Sequence, residues 1–255
     1  MPLCQIRGLT HYFGGLRAVY DFNLDLEEGE LIGLIGPNGA GKTTVFNLVC
    51  GVYRPTEGEI RFNGTDIVGL RPHQITALGI ARTFQNIRLW GQRTVLDNIR
   101  IAQYARVRYG LLDAFFHTPR YWAEEKEILH RSLELLDLLD LKAYAYEQAQ
   151  NLPYGLQRRV EIARALATQP RLLLLDEPAA GMNPAEIEDL LDLIHWIRDQ
   201  FHLTIWVIEH QMRLIMSICE RIKVLDFGET IAEGTPAEIQ ANPRVIQAYL
   251  GEEVA

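Results

Sequence analysis

A glycine-rich segment between an apolar run and a helical pattern constrains this chain more than any other feature. Residues 31–35 (LIGLI) lead into GPNGAGKTT, which Val45, Phe46 and Leu48 follow at helical spacing. The pattern Gly-x4-Gly-Lys-Ser/Thr turns backbone N–H groups toward a polyphosphate, and the following helix offers its positive N-terminus. Strand, loop and helix in this order predict an α/β fold that binds a nucleotide.

The residues of this phosphate loop have different predicted roles. Lys42 is expected to reach the β- and γ-phosphates, and the hydroxyl of Thr43 is expected to ligate Mg²⁺. The backbone of the remaining residues would surround the phosphates. The predicted nucleotide-binding loop comprises Gly36, Pro37, Asn38, Gly39, Ala40, Gly41, Lys42, Thr43 and Thr44.

Two further apolar runs, residues 171–175 and 203–208, are followed at once by polar residues. Such runs are typical of strands buried in a parallel sheet, whose carboxyl ends bind ligands. Asp176 is placed to hold Mg²⁺ directly or through water, and Glu177 to polarise the water that attacks the γ-phosphate. His210 could hydrogen-bond the γ-phosphate or that water. Taken alone, each of these residues also has a purely structural interpretation.

The composition restricts the partners and the metal. The chain has 33 acidic and 25 basic residues, a net charge of −8, so bulk attraction to nucleic acid is not expected. Its three cysteines share no metal-ligand spacing, and the sequence contains neither His-x-x-x-His nor Cys-x-x-Cys. Mg²⁺ is therefore the one metal that the sequence supports, and we expect a reducing cytosolic environment.

The pattern of apolar residues changes along the chain. Three early segments alternate as in a half-buried antiparallel sheet, with Asn63-Gly64 as a turn signal. From Val95 to about Ala149 helical spacing replaces the strand pattern. The aromatic-rich segment 109–121 is expected to be a loop or a partner-facing patch, with core packing favoured for its aromatic rings. The alternating segments are residues 3–6, 18–26 and 59–62.

Two more blocks complete a family pattern: Arg82-Thr83-Phe84-Gln85, and LPYGL (152–156) followed by QRRVEIARAL. With the phosphate loop and Asp176-Glu177, they resemble the nucleotide-binding subunits of ATP-binding cassette (ABC) transporters, from about Leu3 to Gly251. The resemblance implies the α/β fold of a P-loop NTPase: a RecA-like parallel sheet core with an antiparallel β subdomain and an inserted helical subdomain. The core would comprise residues 1–85 and 156–255, and the insert residues 86–155.

The resemblance also assigns roles to residues near the nucleotide. Phe13, with Tyr12 as the alternative, would stack on adenine, and Val19 would flank the base. Gln85 would contact Mg²⁺ and the attacking water, and would relay closure of the site to the helical subdomain.

The family signature, usually Leu-Ser-Gly-Gly-Gln, departs from the common pattern here. Pro153, Tyr154 and Gly155 would face the γ-phosphate of the ATP held by an opposite subunit. Pro153 replaces the serine, so one hydrogen bond to that phosphate is lost. Gly155 and the helix behind it would still present backbone N–H groups.

Further blocks narrow the resemblance to the LivG-type ATPases of high-affinity branched-chain amino-acid uptake, although urea and amide uptake ATPases share much of the pattern. The blocks are DEPAAGMNP (176–184), IEHQM (208–212), EGTPAE (233–238) and AYLGE (248–252).

This resemblance implies an ATPase that uses ATP and Mg²⁺ to power an importer at the cytoplasmic face of the cell membrane. Its partners would be a second ATP-binding subunit, identical or paralogous, transmembrane permease subunits and, indirectly, a solute-binding protein. The alternative class is a soluble ABC ATPase of DNA repair or translation. The acidic balance and the single phosphate loop argue against that class and against a nucleic-acid partner.

Overall fold

Two β-sheets organise residues 2–250, the part of the chain that this computed structural model describes. An antiparallel sheet has the strand order β2-β1-β4-β5, and a mostly parallel sheet has the order β10-β9-β3-β8-β7-β6. The strands are β1 Cys4–Phe13, β2 Leu16–Leu26, β3 Leu31–Ile35, β4 Glu57–Phe62, β5 Thr65–Asp66, β6 Ile80–Arg82, β7 Leu172–Asp176, β8 Thr204–Ile208, β9 Arg221–Asp226 and β10 Glu229–Gly234.

Helices connect the strands and cover the parallel sheet. Within residues 2–250, no helix combines the length and the apolar character that a membrane span requires. The helices are α1 Lys42–Val49, α2 Pro72–Leu78, α3 Val95–Gln103, α4 Leu111–Phe116, α5 Pro119–Leu138, α6 Tyr154–Leu166, α7 Pro184–Phe201, α8 Met212–Ile218, α9 Pro236–Gln240 and α10 Pro243–Leu250.

The three apolar runs form neighbouring parallel strands, as the sequence predicts. Every residue of β3, β7 and β8 is buried, because the sheet is covered on both faces. The register places Leu34 beside Ile208 and Ile208 beside Asp176, so the carboxyl ends of these strands lie level at one edge. The phosphate loop, Asp176-Glu177 and Glu209-His210 therefore begin at the same edge.

The antiparallel sheet that the alternating segments predict is also confirmed. Asn63 and Gly64 have φ values of 49° and 76°, and they form the turn that joins β4 to β5. This sheet and α1 share one apolar core with a face of the parallel sheet. In that core, the ring of Trp206 lies 5.0 Å from Phe46 and 6.2 Å from Phe22.

The second core lies on the other face of the parallel sheet, where α3, α5, α6, α7 and α8 contribute apolar side chains. The four helices α3 to α6 lie in the chain between β6 and β7. The boundaries proposed above, 1–85 and 156–255 against 86–155, stay a prediction. Residues 251–255, which include the end of the AYLGE block, lie outside the described residues.

The segment 109–121 differs from its prediction. It contains the helix α4, and the rings of Phe115 and Phe116 are 76% and 69% exposed, so the expected core packing is wrong. These rings contact each other edge to face at 5.0 Å. The short helix α4 contacts α5, and this contact leaves both rings exposed to solvent.

Candidate functional site

The phosphate loop connects β3 to α1 through a backbone that requires glycine. Gly39 and Gly41 have φ values of 77° and 101°, in the region that side chains disfavour. A Cβ on Gly36 would lie 2.0 Å from the carbonyl oxygen of Leu225, and one on Gly41 would lie 2.4 Å from that of Ala18. The loop thus curves tightly against neighbouring backbone, and its spacing of glycines follows from these contacts.

Lys42 lies inside this curve. Its side chain is buried, and Nζ donates hydrogen bonds to the carbonyl oxygens of Gly36 at 2.6 Å and Pro37 at 2.8 Å. A single ammonium held within a ring of backbone groups is the arrangement that binds the phosphates of a nucleotide. Thr43 is exposed and Thr44 is half-buried at the start of α1. This cradle fits a nucleoside triphosphate.

The three predicted catalytic residues meet at the end of β7. Gln85 Nε2 donates a hydrogen bond of 2.6 Å to Glu177 Oε2, and His210 Nδ1 lies 3.5 Å from the same oxygen. Glu177 has a φ of 45°, and its backbone N–H donates to the carbonyl oxygen of Ile208 at 2.9 Å. This strained turn points the carboxylate toward the other two side chains. Their catalytic roles stay predictions.

Asp176 has a partner that the sequence analysis missed. Its Oδ2 accepts a hydrogen bond of 2.6 Å from Arg82 Nη2, while Arg82 Nη1 donates to Asn47 Oδ1 at 2.7 Å. Both charged side chains are almost fully buried. The sequence did not reveal this ion pair, because it depends on the pairing of β6 with β7 in the sheet.

The residues at this edge also fit Mg²⁺. The ion takes oxygen ligands, and it usually obtains one or two from the protein and the rest from phosphate and water. Thr43 at the loop and Asp176 at the end of β7 offer such oxygens. The described residues hold no cluster of three or more His, Cys, Asp or Glu side chains that could bind a metal alone.

Glu209 is a second residue whose role the sequence did not reveal. It is fully buried, with Oε1 accepting from Ala179 N–H at 3.0 Å and Oε2 accepting from His210 N–H at 3.2 Å. Burial raises the pKa of this carboxyl above its ordinary value, although backbone hydrogen bonds oppose the change. Glu209 ties the loop after Glu177 to the end of β8.

The residues expected near the base separate into two groups. Phe13 is 43% exposed at the end of β1, and its ring lies 4.6 Å from His11 and 5.2 Å from Tyr53 in edge arrangements, so it is accessible to a base. Tyr12 is similarly exposed. Val19 is fully buried below Gly41, so it supports the loop and presents no surface to a base. The expected contact of Val19 with the base stays a prediction.

The signature residues form the start of α6. Pro153 is the exposed N-cap, and Tyr154, which is 40% exposed, donates its hydroxyl proton to the carbonyl oxygen of Ala180 at 2.9 Å. A Cβ on Gly155 would lie 3.2 Å from Glu186 Oε1. The signature therefore lies against the loop and helix that follow Glu177 in the same subunit. Its contact with a second ATP stays a prediction.

Family models match two parts of the chain. One described as "ABC transporter" matches residues 19–180, more than half of the chain, and one described as "Branched-chain amino acid ATP-binding cassette transporter" matches residues 229–255. Among curated relatives, the branched-chain amino-acid transport ATP-binding proteins BraF of Pseudomonas aeruginosa and LivG of Escherichia coli K12 are each 47% identical, with 98% of both chains covered. The lipopolysaccharide export ATP-binding protein LptB of Escherichia coli K12 is 35% identical over 99% of both chains.

Solved structures agree with the fold. The ADP conformation of an ATP-binding cassette of an ABC transporter superposes with a TM-score of 0.86 at 28% identity, covering 98% of this chain and 99% of that one. A dimeric cassette in a post-hydrolysis state bound to ADP and Pi gives a TM-score of 0.76 at 27% identity, covering 91% of this chain and 98% of that one.

Proposed function

This chain belongs to the ABC transporter family, and on that premise we propose that it is the ATP-hydrolysing subunit of an importer of branched-chain amino acids. The main support for ATP hydrolysis is that Gln85 and His210 both approach one carboxylate oxygen of Glu177, at the sheet edge where the phosphate loop begins. The observation that supports the substrate class is the 47% identity to branched-chain amino-acid transport ATPases over 98% of the chain.

The geometry supports a direct division of labour in hydrolysis. Lys42 and the loop N–H groups would bind the β- and γ-phosphates, and Thr43 and Asp176 would hold Mg²⁺. The metal, when bound, neutralises charge on the phosphate oxygens. Gln85 occupies Glu177 Oε2, so the other carboxylate oxygen can accept a proton from the attacking water. His210, half-exposed beside Glu177, would donate a hydrogen bond to the γ-phosphate.

The proposed complex contains a second ATP-binding subunit and two kinds of further partner. Two subunits would meet head to tail, with each ATP between one phosphate loop and the signature of the other chain. The exposed start of α6 and the dimeric cassette structure among the relatives support this arrangement. Permease subunits would contact the apolar residues after Gln85, among them Leu89 and the half-exposed Trp90, at the cytoplasmic face of the membrane.

The variant Glu177→Gln tests the catalytic proposal. Glutamine keeps the shape of the side chain but cannot accept the proton of the water, so steady ATP hydrolysis should fall about a thousandfold or more while ATP binding persists. Glu188→Gln, an exposed acid on α7, is the matched control and should keep full turnover. Release of phosphate and binding of a fluorescent ATP analogue are the measurements. Normal turnover of Glu177→Gln would remove Glu177 from the proposed role.

The substrate proposal needs a separate experiment. The chain, assembled with its permease subunits in lipid vesicles, should hydrolyse ATP faster when a solute-binding protein loaded with leucine is added. The same complex should not respond to binding proteins loaded with urea or an aliphatic amide. Stimulation by urea or amide alone would assign the subunit to that related importer class, and recovery of the chain with ribosomes or DNA in place of permease subunits would refute transport.

A further inference from the structure

Three charged residues of α6 hold the backbone of the segment that carries Gln85. Arg158 Nη1 donates to the carbonyl oxygen of Phe84 at 2.6 Å, and Nη2 donates to that of Gln85 at 2.8 Å. Arg164, six residues further along α6, donates to the carbonyl oxygen of Arg88. The signature helix α6 thus binds three carbonyl groups of residues 84–88, a segment that we name the Gln loop.

The middle residue, Glu161, binds the donors of the same loop. Its Oε1 accepts from the N–H groups of Phe84 at 3.4 Å and Arg88 at 3.3 Å, and its Oε2 accepts from Arg158 Nη1 at 2.6 Å. Residues three apart are neighbours on a helix surface, so Glu161 lies between Arg158 and Arg164 and the three side chains form a row. Backbone donors and acceptors of the Gln loop are therefore both held by α6.

The central pair of this row is isolated from water. The side chains of Arg158 and Glu161 are 0% and 1% exposed. Burial raises the pKa of Glu161, and Arg158 opposes that shift. A buried ion pair gives little net stability unless its remaining polar groups are bonded. Here Arg158 Nε has no partner, but both Nη atoms of Arg158 and Oε1 of Glu161 bond to the backbone of the Gln loop. Apolar side chains at positions 158 and 161 would be enough to pack α6 in place. The charged side chains therefore indicate a coupling between α6 and the Gln loop.

The row connects two functional elements of the subunit. At one end, the Gln85 side chain contacts Glu177 Oε2. At the other end, Arg158 Nη2 lies 3.4 Å from the hydroxyl of Tyr154, a signature residue that also binds Ala180 in the loop after Glu177. Signature, Gln loop and Glu177 are thereby linked through bonded neighbours inside one chain.

We propose that Arg158 and Glu161 form a buried clamp that makes the signature helix and the Gln loop move as one body. Binding of the signature to the ATP of a second subunit then repositions Gln85 at Glu177 of its own subunit, so the two ATP sites report to each other. Arg158 is a positioning residue, because it acts on the reacting groups through Gln85. This inference rests on the proposed ATPase function.

The physical basis of the proposal is the number of strong hydrogen bonds that would break if α6 moved relative to the Gln loop. Hydrogen bonds with a charged partner are shorter and stronger than neutral ones, and the low dielectric of a buried site strengthens them further. Moving α6 past the Gln loop would break those of Arg158 and Glu161 together. A rotation that keeps them intact requires less free energy, so displacement of the signature carries Gln85 with it.

The test uses Arg158→Lys, with Arg159→Lys as the matched control. Lysine keeps the charge opposite Glu161 but lacks the planar fork that reaches two carbonyl groups. Arg159 is the next residue of α6 and contacts Leu139 and the exposed Asp140, away from the Gln loop. The assembled transporter is assayed for ATP hydrolysis over a range of ATP concentrations.

The expected result has three parts. In Arg158→Lys, kcat should fall about ten- to a hundredfold, because Gln85 is no longer held in position at Glu177. The Hill coefficient for ATP should fall to unity, because the two ATP sites are no longer coupled. Equilibrium ATP binding should stay within about threefold of wild type, because Lys42 and the phosphate loop are unchanged. Arg159→Lys should match wild type in all three measurements. Equal kcat and Hill coefficient in Arg158→Lys and Arg159→Lys would overturn the clamp.

A second variant and a second readout keep this test independent of folding and of hydrolysis. The double variant Arg158→Met/Glu161→Leu replaces the buried pair by apolar side chains of similar size, a change that folded proteins tolerate. Hydrogen exchange of residues 84–88 should slow on ATP binding in wild type and in Arg159→Lys, but not in the double variant. Equal slowing in all three proteins would refute the coupling. A wild-type complex without ATPase activity would refute the proposed function instead, while the exchange data would still judge the clamp.

Discussion

Replacement of Arg82 by methionine should show how much the buried ion pair at the end of β7 stabilises the protein. The side chains of Arg82 and Asp176 are 6% and 5% exposed, and 2.6 Å separates Nη2 from Oδ2. Methionine has similar length and no charge, so Asp176 would stay buried without its partner. Loss of one member of such a pair costs about 3–5 kcal/mol, and we expect the free energy of unfolding at neutral pH to fall by that amount.

The matched control is Arg7→Met, which removes an arginine from an exposed pair. Arg7 Nη2 lies 2.7 Å from Asp25 Oδ1, and the two side chains are 49% and 42% exposed. Exposed pairs contribute only about 0.2–1 kcal/mol, because water screens the charges and the side chains lose entropy on pairing. The two variants therefore remove the same kind of bond at similar length, and they differ in burial.

Urea unfolding followed by circular dichroism measures both changes, and a double-mutant cycle with Asp176→Asn isolates the pair. Arg82→Met should cost less in the Asp176→Asn background, where no buried charge is left unpaired, with a coupling energy of about 2–3 kcal/mol. The lost bond to Asn47 is common to both backgrounds and cancels in the cycle. Equal losses for Arg82→Met and Arg7→Met, or additivity within about 0.5 kcal/mol, would refute the reasoning.

Three other variants test the phosphate loop and the buried Glu209. Gly41→Ala should weaken ATP binding at least about tenfold, because its Cβ would lie 2.4 Å from the carbonyl oxygen of Ala18. The control is Gly39→Ala, whose Cβ meets nothing within 4 Å. This control should lose less ATP affinity in the same binding titration. Burial raises the pKa of Glu209, so its contribution to stability is present at low pH and is lost as pH rises. Glu209→Gln should therefore gain stability relative to wild type as the pH rises above about 4.5, the ordinary pKa of a glutamate, in urea unfolding. A difference that does not change with pH would contradict this.

The sequence predicted the parts of the site that depend on local order. The strand, glycine loop and helix around Lys42 could be identified because each residue acts on its neighbours in the chain. The acids after residues 171–175 could be identified because the carboxyl end of a buried parallel strand is a defined place. Prediction was wrong where exposure depended on distant elements: the rings of Phe115 and Phe116, which were expected to pack in the core, lie in solvent.

Pairings between distant residues were decided by the tertiary structure. Gln85 and Glu177 are 92 residues apart, and Arg158 is 74 residues from Phe84. Nothing in the sequence alone reveals such contacts, because they follow from the order of strands in the sheet and from the packing of α6 against the end of β6.

The sequence by itself determined that the chain would fold around a phosphate loop beside acidic strand ends, which is enough to predict a nucleotide site and its family. The tertiary structure decided which charges are buried: Asp176 with Arg82, and Glu161 with Arg158. The physical reason is that a charge can be buried only where the fold brings a partner to it. The sequence states which charges exist, and the fold determines which of them meet.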